Sequence, residues 1–324
     1  MVYWERKAGK KMSFASETKN ELARITPEKK CCTIAEIAGF MRFAGSIGLA
    51  GGGKFRISMT TPHNAVVRHY KSLIGSYFNV ETDIEVGRGE GFDRGKQYTI
   101  TIDPDNKSEM ILREAGILMV REGMNSISDG IYGGLIRTKC CRKAYLRGAF
   151  LASGTMANPD KSYHLEIDTG SELLARDLRR LINTFDDITP KIVERKKGYG
   201  VYLKAREQIA DTLAIMGATG QYFAFQDVMM KKDLLNQAHR AENLDNANID
   251  KALRAAEEQI EWIRKIDEKR GLASLSAKLQ EVAELRLEHP DAGLEELGSM
   301  LHPPLSKSGV NGRLRRLGEI AKGL

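Results

Sequence analysis

Residues 31–47 read CCTIAEIAGFMRFAGSI and residues 140–156 read CCRKAYLRGAFLASGTM. At a constant offset of 109 residues, Cys31 and Cys32 fall on Cys140 and Cys141, Gly39 on Gly148 and Gly45 on Gly154. Each stretch is apolar at helical spacing. A glycine inside such a helix costs about 1 kcal/mol relative to alanine, so the repeated glycines call for a packing reason. Close approach of the two equivalent helices along Gly39, Gly45, Gly148 and Gly154 supplies one, and it predicts two halves related by a pseudo-two-fold axis.

The succession of elements behind each motif is repeated too. After the first motif come the alternating strand KFRISMTT (54–61), the helix AVVRHYKSLIGSYF (65–78), NVETDIEV (79–86) and KQYTITI (96–102) about a glycine-rich turn, and the helix SEMILREAGIL (108–118). After the second come YHLEIDT (163–169), SELLARDLRRLINTF (171–185), the hairpin KIVERKKGYGVYLK (191–204) with a Gly-Tyr-Gly turn at 198–200, and REQIADTLAIMGAT (206–219). Alternating strands between helical segments predict an α+β fold of two αββαββα-type halves, each with a curved antiparallel sheet.

At 324 residues the chain has room for two or three compact units. Hydrophobic residues at 42% and charged residues at 29% are ordinary globular values, and no apolar run reaches the roughly 18 residues of a membrane span. A net charge of +7 suits a polyanionic partner without demanding one. Residues 1–11, MVYWERKAGKK, are basic and lack the apolar core of a secretory signal, which reads as a disordered extension ahead of Met12. A reducing, cytoplasmic setting is expected, and the cysteine pairs lack C-x₂-C spacing, so they read as small buried hydrophobes at two helix starts. The six histidines show no paired-ligand spacing, and neither a metal nor a cofactor is expected.

IAGFMRFAG (37–45) and LRGAFLASG (146–154) resemble the paired motifs of the LAGLIDADG homing endonucleases, whose motif helices and saddle-shaped sheets straddle DNA. The resemblance implies an acidic metal ligand at the eighth position of each motif. Here those degenerate catalytic positions are Ala44 and Ser153, and neither 37–54 nor 142–159 holds an Asp or Glu. Hard divalent cations need such oxygen ligands, so a LAGLIDADG-type nuclease or RNA-processing enzyme is the disfavoured alternative. The two saddle halves differ in charge. Lys191, Arg195, Lys196, Lys197, Lys204 and Arg206 stand against Glu194 in the second, with Arg195, Lys196, Lys197 and Lys204 as secondary DNA contacts. Glu81, Asp83, Glu85, Glu90 and Asp93 outweigh Arg88, Arg94 and Lys96 in the first, which argues against symmetric groove binding and makes a protein-interaction or dimerisation role of this domain an equal expectation.

Beyond Phe225 a stripe of Ile249, Ala252, Leu253, Ala256, Ile260 and Ile263 marks a connecting helix ending near Gly271. SLSAKLQEVAELRLEHP (274–290), LEELGSML (294–301) and SKSGVNGRLRRLGEIAKGL (306–324) then read as three helices, with a PPLS turn before the third: a helix-turn-helix. Val310, Leu314 and Leu317 should face the core, leaving Ser308, Asn311 and Arg315 outward beside Lys307. Ser306 is the expected N-cap, and Arg313 and Arg316 complete the expected DNA-binding set. Asn and Arg suit bidentate contacts with adenine and guanine edges. Gly309 and Gly312 should weaken the first turn of this helix.

A degenerate duplicated LAGLIDADG-like domain followed by a helix-turn-helix resembles the WhiA family of bacterial sporulation and cell-division regulators. SFASETKNEL (13–22), HRAENLDNANIDK (239–251) and PPLSKSGVNGRLRRL (303–317) carry the local match. The resemblance implies a non-enzymatic transcriptional regulator tied to cell division, chromosome segregation or sporulation. From the residues themselves the expected partners are double-stranded DNA, at the nucleoid, and another regulatory protein through the N-terminal domain, with no membrane or small-molecule substrate. The expected divisions are 1–11, a first repeat at 12–128, a second at 129–225, a connecting helix at 226–270 and a helix-turn-helix domain at 271–324.

Overall fold

The computed structural model describes residues 12–88, 95–105, 107–121 and 123–324; the expected extension at 1–11 and the charges of Glu90, Asp93 and Arg94 lie outside the described residues. Ser13 caps α1 (Phe14–Leu22) by accepting a 3.2 Å hydrogen bond from the Ser16 N–H. The first motif forms α2 (Lys30–Ala44), followed by β1 (Gly45–Leu49), β2 (Phe55–Thr61), α3 (Asn64–Phe78), β3 (Asp83–Arg88), β4 (Lys96–Ile102) and α4 (Ser108–Glu114). A hairpin of β5 (Leu118–Arg121) and β6 (Met124–Ile127) and a 3-10 turn (Gly133–Ile136) lead to the second motif. That motif forms α5 (Lys139–Ser153), then β7 (Gly154–Met156), β8 (Leu165–Thr169), α6 (Glu172–Ile182), β9 (Lys191–Arg195), β10 (Gly198–Leu203) and α7 (Arg206–Met216). Two αββαββα halves result, as the sequence predicts. Their sheets share one antiparallel order, β1-β2-β4-β3 and β7-β8-β10-β9.

Period-two alternation orients each sheet. Along β2, Phe55, Ile57, Met59 and Thr61 are buried while Arg56 and Thr60 are exposed; along β8, Leu165 and Ile167 enter the core and Asp168 is exposed. Against these inner faces pack Ile37, Ala38, Phe40 and Met41 of α2 and Tyr145, Leu146, Ala149 and Phe150 of α5, forming one core. Phe40 stacks on Tyr70 of α3 with ring centroids 3.7 Å apart.

The glycines divide into two roles. A methyl group on Gly39 would run into the Tyr145 carbonyl oxygen, and one on Gly148 into the Glu36 carbonyl oxygen, so at this crossing the backbones of α2 and α5 touch. Gly45 and Gly154 differ from the expectation: each begins a strand, and a methyl there would strike its own preceding helix at the Met41 carbonyl or the Phe150 ring. Beside the crossing lies a buried ion cluster. Arg147 donates from Nε (2.8 Å) and Nη2 (2.5 Å) to Glu36 Oε2 and from Nη1 to the Met216 carbonyl (3.0 Å), while His69 Nε2 lies 2.8 Å from Glu36 Oε1.

Other segments differ from expectation in instructive ways. SEMILREAGIL is helical only to Glu114, because Gly116 at φ 65° turns the chain into β5. Gly-Tyr-Gly lies inside β10; the hairpin turns at Lys196 and Lys197, entering the strand at Gly198 with φ 137°. Cys32 and Cys141 are buried, but Cys31 is exposed and Cys140 half-buried, so only half of the thiols behave as core hydrophobes.

The long helix α8 runs Thr219–Arg270, starting earlier than the composition suggests because Phe225 and Met229 are buried in the first core. The chain divides into two compact units, Met1–Lys231 and Lys232–Leu324. In the second, a 3-10 turn (Leu272–Ser274) precedes α9 (Ala277–Glu288), α10 (Leu294–Met300) and α11 (Lys307–Lys322). Of the expected α8 stripe, Ala256 and Ile263 are buried and Ile260 half-buried, whereas Ile249, Ala252 and Leu253 are exposed.

Replacing Arg147 by Ala leaves the Glu36 carboxylate buried, and urea unfolding is expected to show a loss of about 3–5 kcal/mol. Arg176→Ala, which breaks only an exposed pair with Glu172, should cost under about 1 kcal/mol. Burial lowers the Lys19 amine to about 8. The folded state therefore disfavours its charge, a penalty fully present below pH 8 and gone once the unfolded chain also deprotonates near pH 10.5. Lys19→Met should raise stability at pH 7 by about 2 kcal/mol, and the gain should shrink between pH 8 and 10.5 in unfolding curves.

Candidate nucleic-acid interface

The second unit's core is Ile263 and Ile266 of α8 with Val282, Ala283, Leu297, Leu301, Val310, Leu314, Leu317 and Ala321. Two local devices set its corners. The Arg286 guanidinium, 2% exposed, donates to the carbonyls of His289 (3.4 Å), Pro290 (3.2 Å) and Ala292 (2.7 Å), holding the α9–α10 loop. Gly298 admits the turn into α11: the Leu305 N–H donates to the Gly298 carbonyl at 2.9 Å, and a side chain there would hit the Leu305 carbonyl.

Ser306 caps α11, accepting from the Gly309 N–H at 3.4 Å and sharing a 2.9 Å hydrogen bond with the Ser308 hydroxyl. The helix is continuous through Gly309 and Gly312, whose expected weakening is offset by this cap and by the buried row Val310, Leu314 and Leu317. Lys307, Ser308, Asn311 and Arg315 are exposed, and among the described residues Lys307, Asn311 and Arg315 make no side-chain ion pair or hydrogen bond. The other two arginines are engaged. Arg313 turns toward α9, donating to the Lys278 carbonyl (3.2 Å) with Glu281 3.7 Å away, and Arg316 pairs with Glu319 at 2.6 Å.

The charge expected of the saddle is redistributed by side-chain pairing. Arg195 makes 2.6 Å contacts with both Glu166 oxygens. Strand β10 lies between these partners, and a side chain on Gly200 would occupy the Glu166 carboxylate's place, so the missing Cβ lets the pair close over the strand. Burial would raise the Glu166 carboxyl, but the hydrogen bonds from Arg195 and His164 outweigh it and hold it below the usual carboxylate range. Arg195 thus already has a carboxylate partner in Glu166. Lys196 and Lys197 stand exposed at the hairpin turn, while Lys204 lies over the Tyr202 ring, 5.4 Å from its centroid. In the first half, Glu81, Asp83, Glu85 and Asp103 line one 430 Å³ cavity, relieved by Arg56 at 3.1 Å from Asp103.

Ala44 and Ser153 end α2 and α5, and neither brings a carboxylate. Ser153 donates to the Asp168 carbonyl at 2.6 Å. A 390 Å³ cavity lined by Phe43, Ser153, Asp168, Arg195 and Lys197 opens there. Asp168 is the acid that the neighbouring sequence does not show; β8 returns it to the motif helix, and partial desolvation of its carboxyl together with the Glu166 charge raises it, although the residue as a whole is exposed. Among the described residues, no group of three or more carboxylates or histidines converges there.

Three family models together match most of the chain: the WhiA N-terminal LAGLIDADG-like domain over residues 30–118, the WhiA LAGLIDADG-like domain over 142–234 and the WhiA C-terminal HTH domain over 238–321. A protein named "Probable cell division protein WhiA" from Alkaliphilus metalliredigens is 40% identical over 310 residues, covering 96% of this chain and 98% of its own. Its namesake from Thermoanaerobacter pseudethanolicus is 42% identical over 314 residues, 97% of this chain and 98% of that protein. The fold is that of the full-length DUF199/WhiA structure from Thermatoga maritima, with a TM-score of 0.60 at 24% identity over 97% of this chain and 99% of that one. Among the described residues, no helix is long and apolar enough to cross a membrane. Two LAGLIDADG-like halves on a glycine-lined helix pair, followed by a helix-turn-helix, make this chain a member of the WhiA family.

Proposed function

We propose that the chain is a non-enzymatic transcriptional regulator that reads double-stranded DNA through α11. The observation that supports this most directly is the unpartnered outward row of Lys307, Asn311 and Arg315 on a capped helix. In this reading Asn311 and Arg315 meet base edges, and Lys307, with the first-turn N–H groups behind Ser306 and Ser308, holds a phosphate. Arg316 adds charge at the rim, and Arg313 acts indirectly by seating α11 on α9. Lys196 and Lys197 give a minor second contact.

A second role rests on the first half. Its Glu81, Asp83, Glu85 and Asp103 surface repels a phosphate backbone and suits a protein partner. The names of the relatives point to cell division as the setting; sporulation or chromosome segregation, and a cytoplasmic place on the nucleoid, accompany that reading. The domain divisions carried by it are repeats at 12–128 and 129–225, a connecting helix at 226–270 and a reader at 271–324. The lack of a motif carboxylate at Ala44 and Ser153 is what supports a non-enzymatic role.

Selection of genomic fragments by the full chain, and then titration of the best site, is the test. Asn311→Ala and Arg315→Ala should each cost about 1–3 kcal/mol and relax preference at one base position, whereas Lys307→Ala should weaken all sequences alike and lower the salt slope by about 1. Selectivity unchanged in all three would move the reader elsewhere, and magnesium-dependent cleavage would restore the nuclease alternative. Thermal unfolding separates the arginines: Arg313→Ala should destabilise the second unit by about 1 kcal/mol, and Arg315→Ala by less than about 0.5 kcal/mol.

A further inference from the structure

The pseudo-two-fold axis brings the two cysteine pairs to one place. Because α2 and α5 begin at Lys30 and Lys139, Cys31 and Cys32 occupy the second and third positions of one helix, and Cys140 and Cys141 those of the other. The Sγ atoms of Cys31, Cys32 and Cys141 all lie within 4.8 Å of one another. The Cys140 thiol shares a 3.2 Å hydrogen bond with the Thr138 hydroxyl and lies beside this group, where it interacts electrostatically with the Cys32 and Cys141 thiols. Three sulfurs from segments 109 residues apart thus share one small volume with Cys140 at its edge, a meeting that the absence of C-x₂-C spacing conceals.

We propose that these four cysteines form a structural site for a thiophilic divalent cation, with zinc as the best fit. Around zinc, four sulfurs at about 2.3 Å stand about 3.8 Å apart at tetrahedral corners, so the three mutually close thiols need to draw in by about 1 Å. The donors are all sulfur, the set that selects zinc over magnesium or calcium. The N-terminal ends of two helices converge on the cluster and Lys29 adds its charge beside Cys140, whereas burial raises the Cys32 and Cys141 thiols, so the metal itself has to displace their protons. Binding would displace the thiol protons to solvent and leave four metal–sulfur bonds. With every coordination position filled, the site would be structural and would not activate water. It would clamp the N-terminal ends of the motif helices, at the other end of the pair from Ala44 and Ser153.

The test uses the full chain, purified under reducing conditions and stripped of metal, then titrated with Co²⁺ and afterwards Zn²⁺. One Co²⁺ per chain, with an intense near-ultraviolet sulfur-to-metal charge-transfer band that Zn²⁺ removes, is expected, together with a rise in Tm of several degrees on zinc loading. Cys31→Ser alters an exposed side chain and should keep the helical circular dichroism while weakening zinc at least about tenfold; Cys31→Ser with Cys140→Ser should abolish the band. The proposal is overturned if the unsubstituted chain binds less than a tenth of an equivalent with no band, if the variants bind as tightly as the parent, or if the stripped thiols are found as disulfides that zinc does not prevent.

Discussion

The contact between α2 and α5 is the constraint on which the first unit depends. Two helices whose backbones meet at Gly39 and Gly148 leave no room for a side chain at that crossing, and their flanking apolar residues pack against the two sheets in one core. The sheets then extend from one axis, and every other element of the halves finds its place from that line. Glu36 and Arg147 add specificity. A buried carboxylate that must find one guanidinium on the other helix penalises any sliding of the pair by a turn, although such a buried pair adds little net stability against an apolar alternative.

Most of this architecture is legible in the sequence because duplication supplies an internal comparison. An offset that aligns cysteines and glycines together identifies the motif helices, and alternation in KFRISMTT and YHLEIDT identifies strands. What is not legible comes from side chains that meet only after folding. Arg195 reads as a free cation until β10 carries Gly200 between it and Glu166. Arg313 reads as one of a row of basic residues until α9 provides the Lys278 carbonyl. Gly45 and Gly154 read as helix contacts because the strands they open are too short to show a period of their own. On α11, by contrast, burial of Val310, Leu314 and Leu317 is fixed by their spacing, and the outward positions of Ser308, Asn311 and Arg315 are fixed with it.

The two halves have kept their geometry and lost their chemical equivalence. One sheet gathers carboxylates around Arg56; the other ties its main carboxylate to Arg195 and leaves lysines at its hairpin tip. A symmetric polyanion would meet unlike surfaces. In the proposed reading this asymmetry leaves the second unit to carry recognition.

The spacing of the motif helices also bears on how the chain reaches this state. Residues that touch at the α2–α5 crossing are separated by more than a hundred positions, so the loop between them must close before the contact repays its entropy. During synthesis the first half emerges with the apolar flank of α2 uncovered until α5 has left the ribosome. Over that interval the nascent chain carries an apolar flank without its partner, the kind of surface that makes incomplete folds prone to associate.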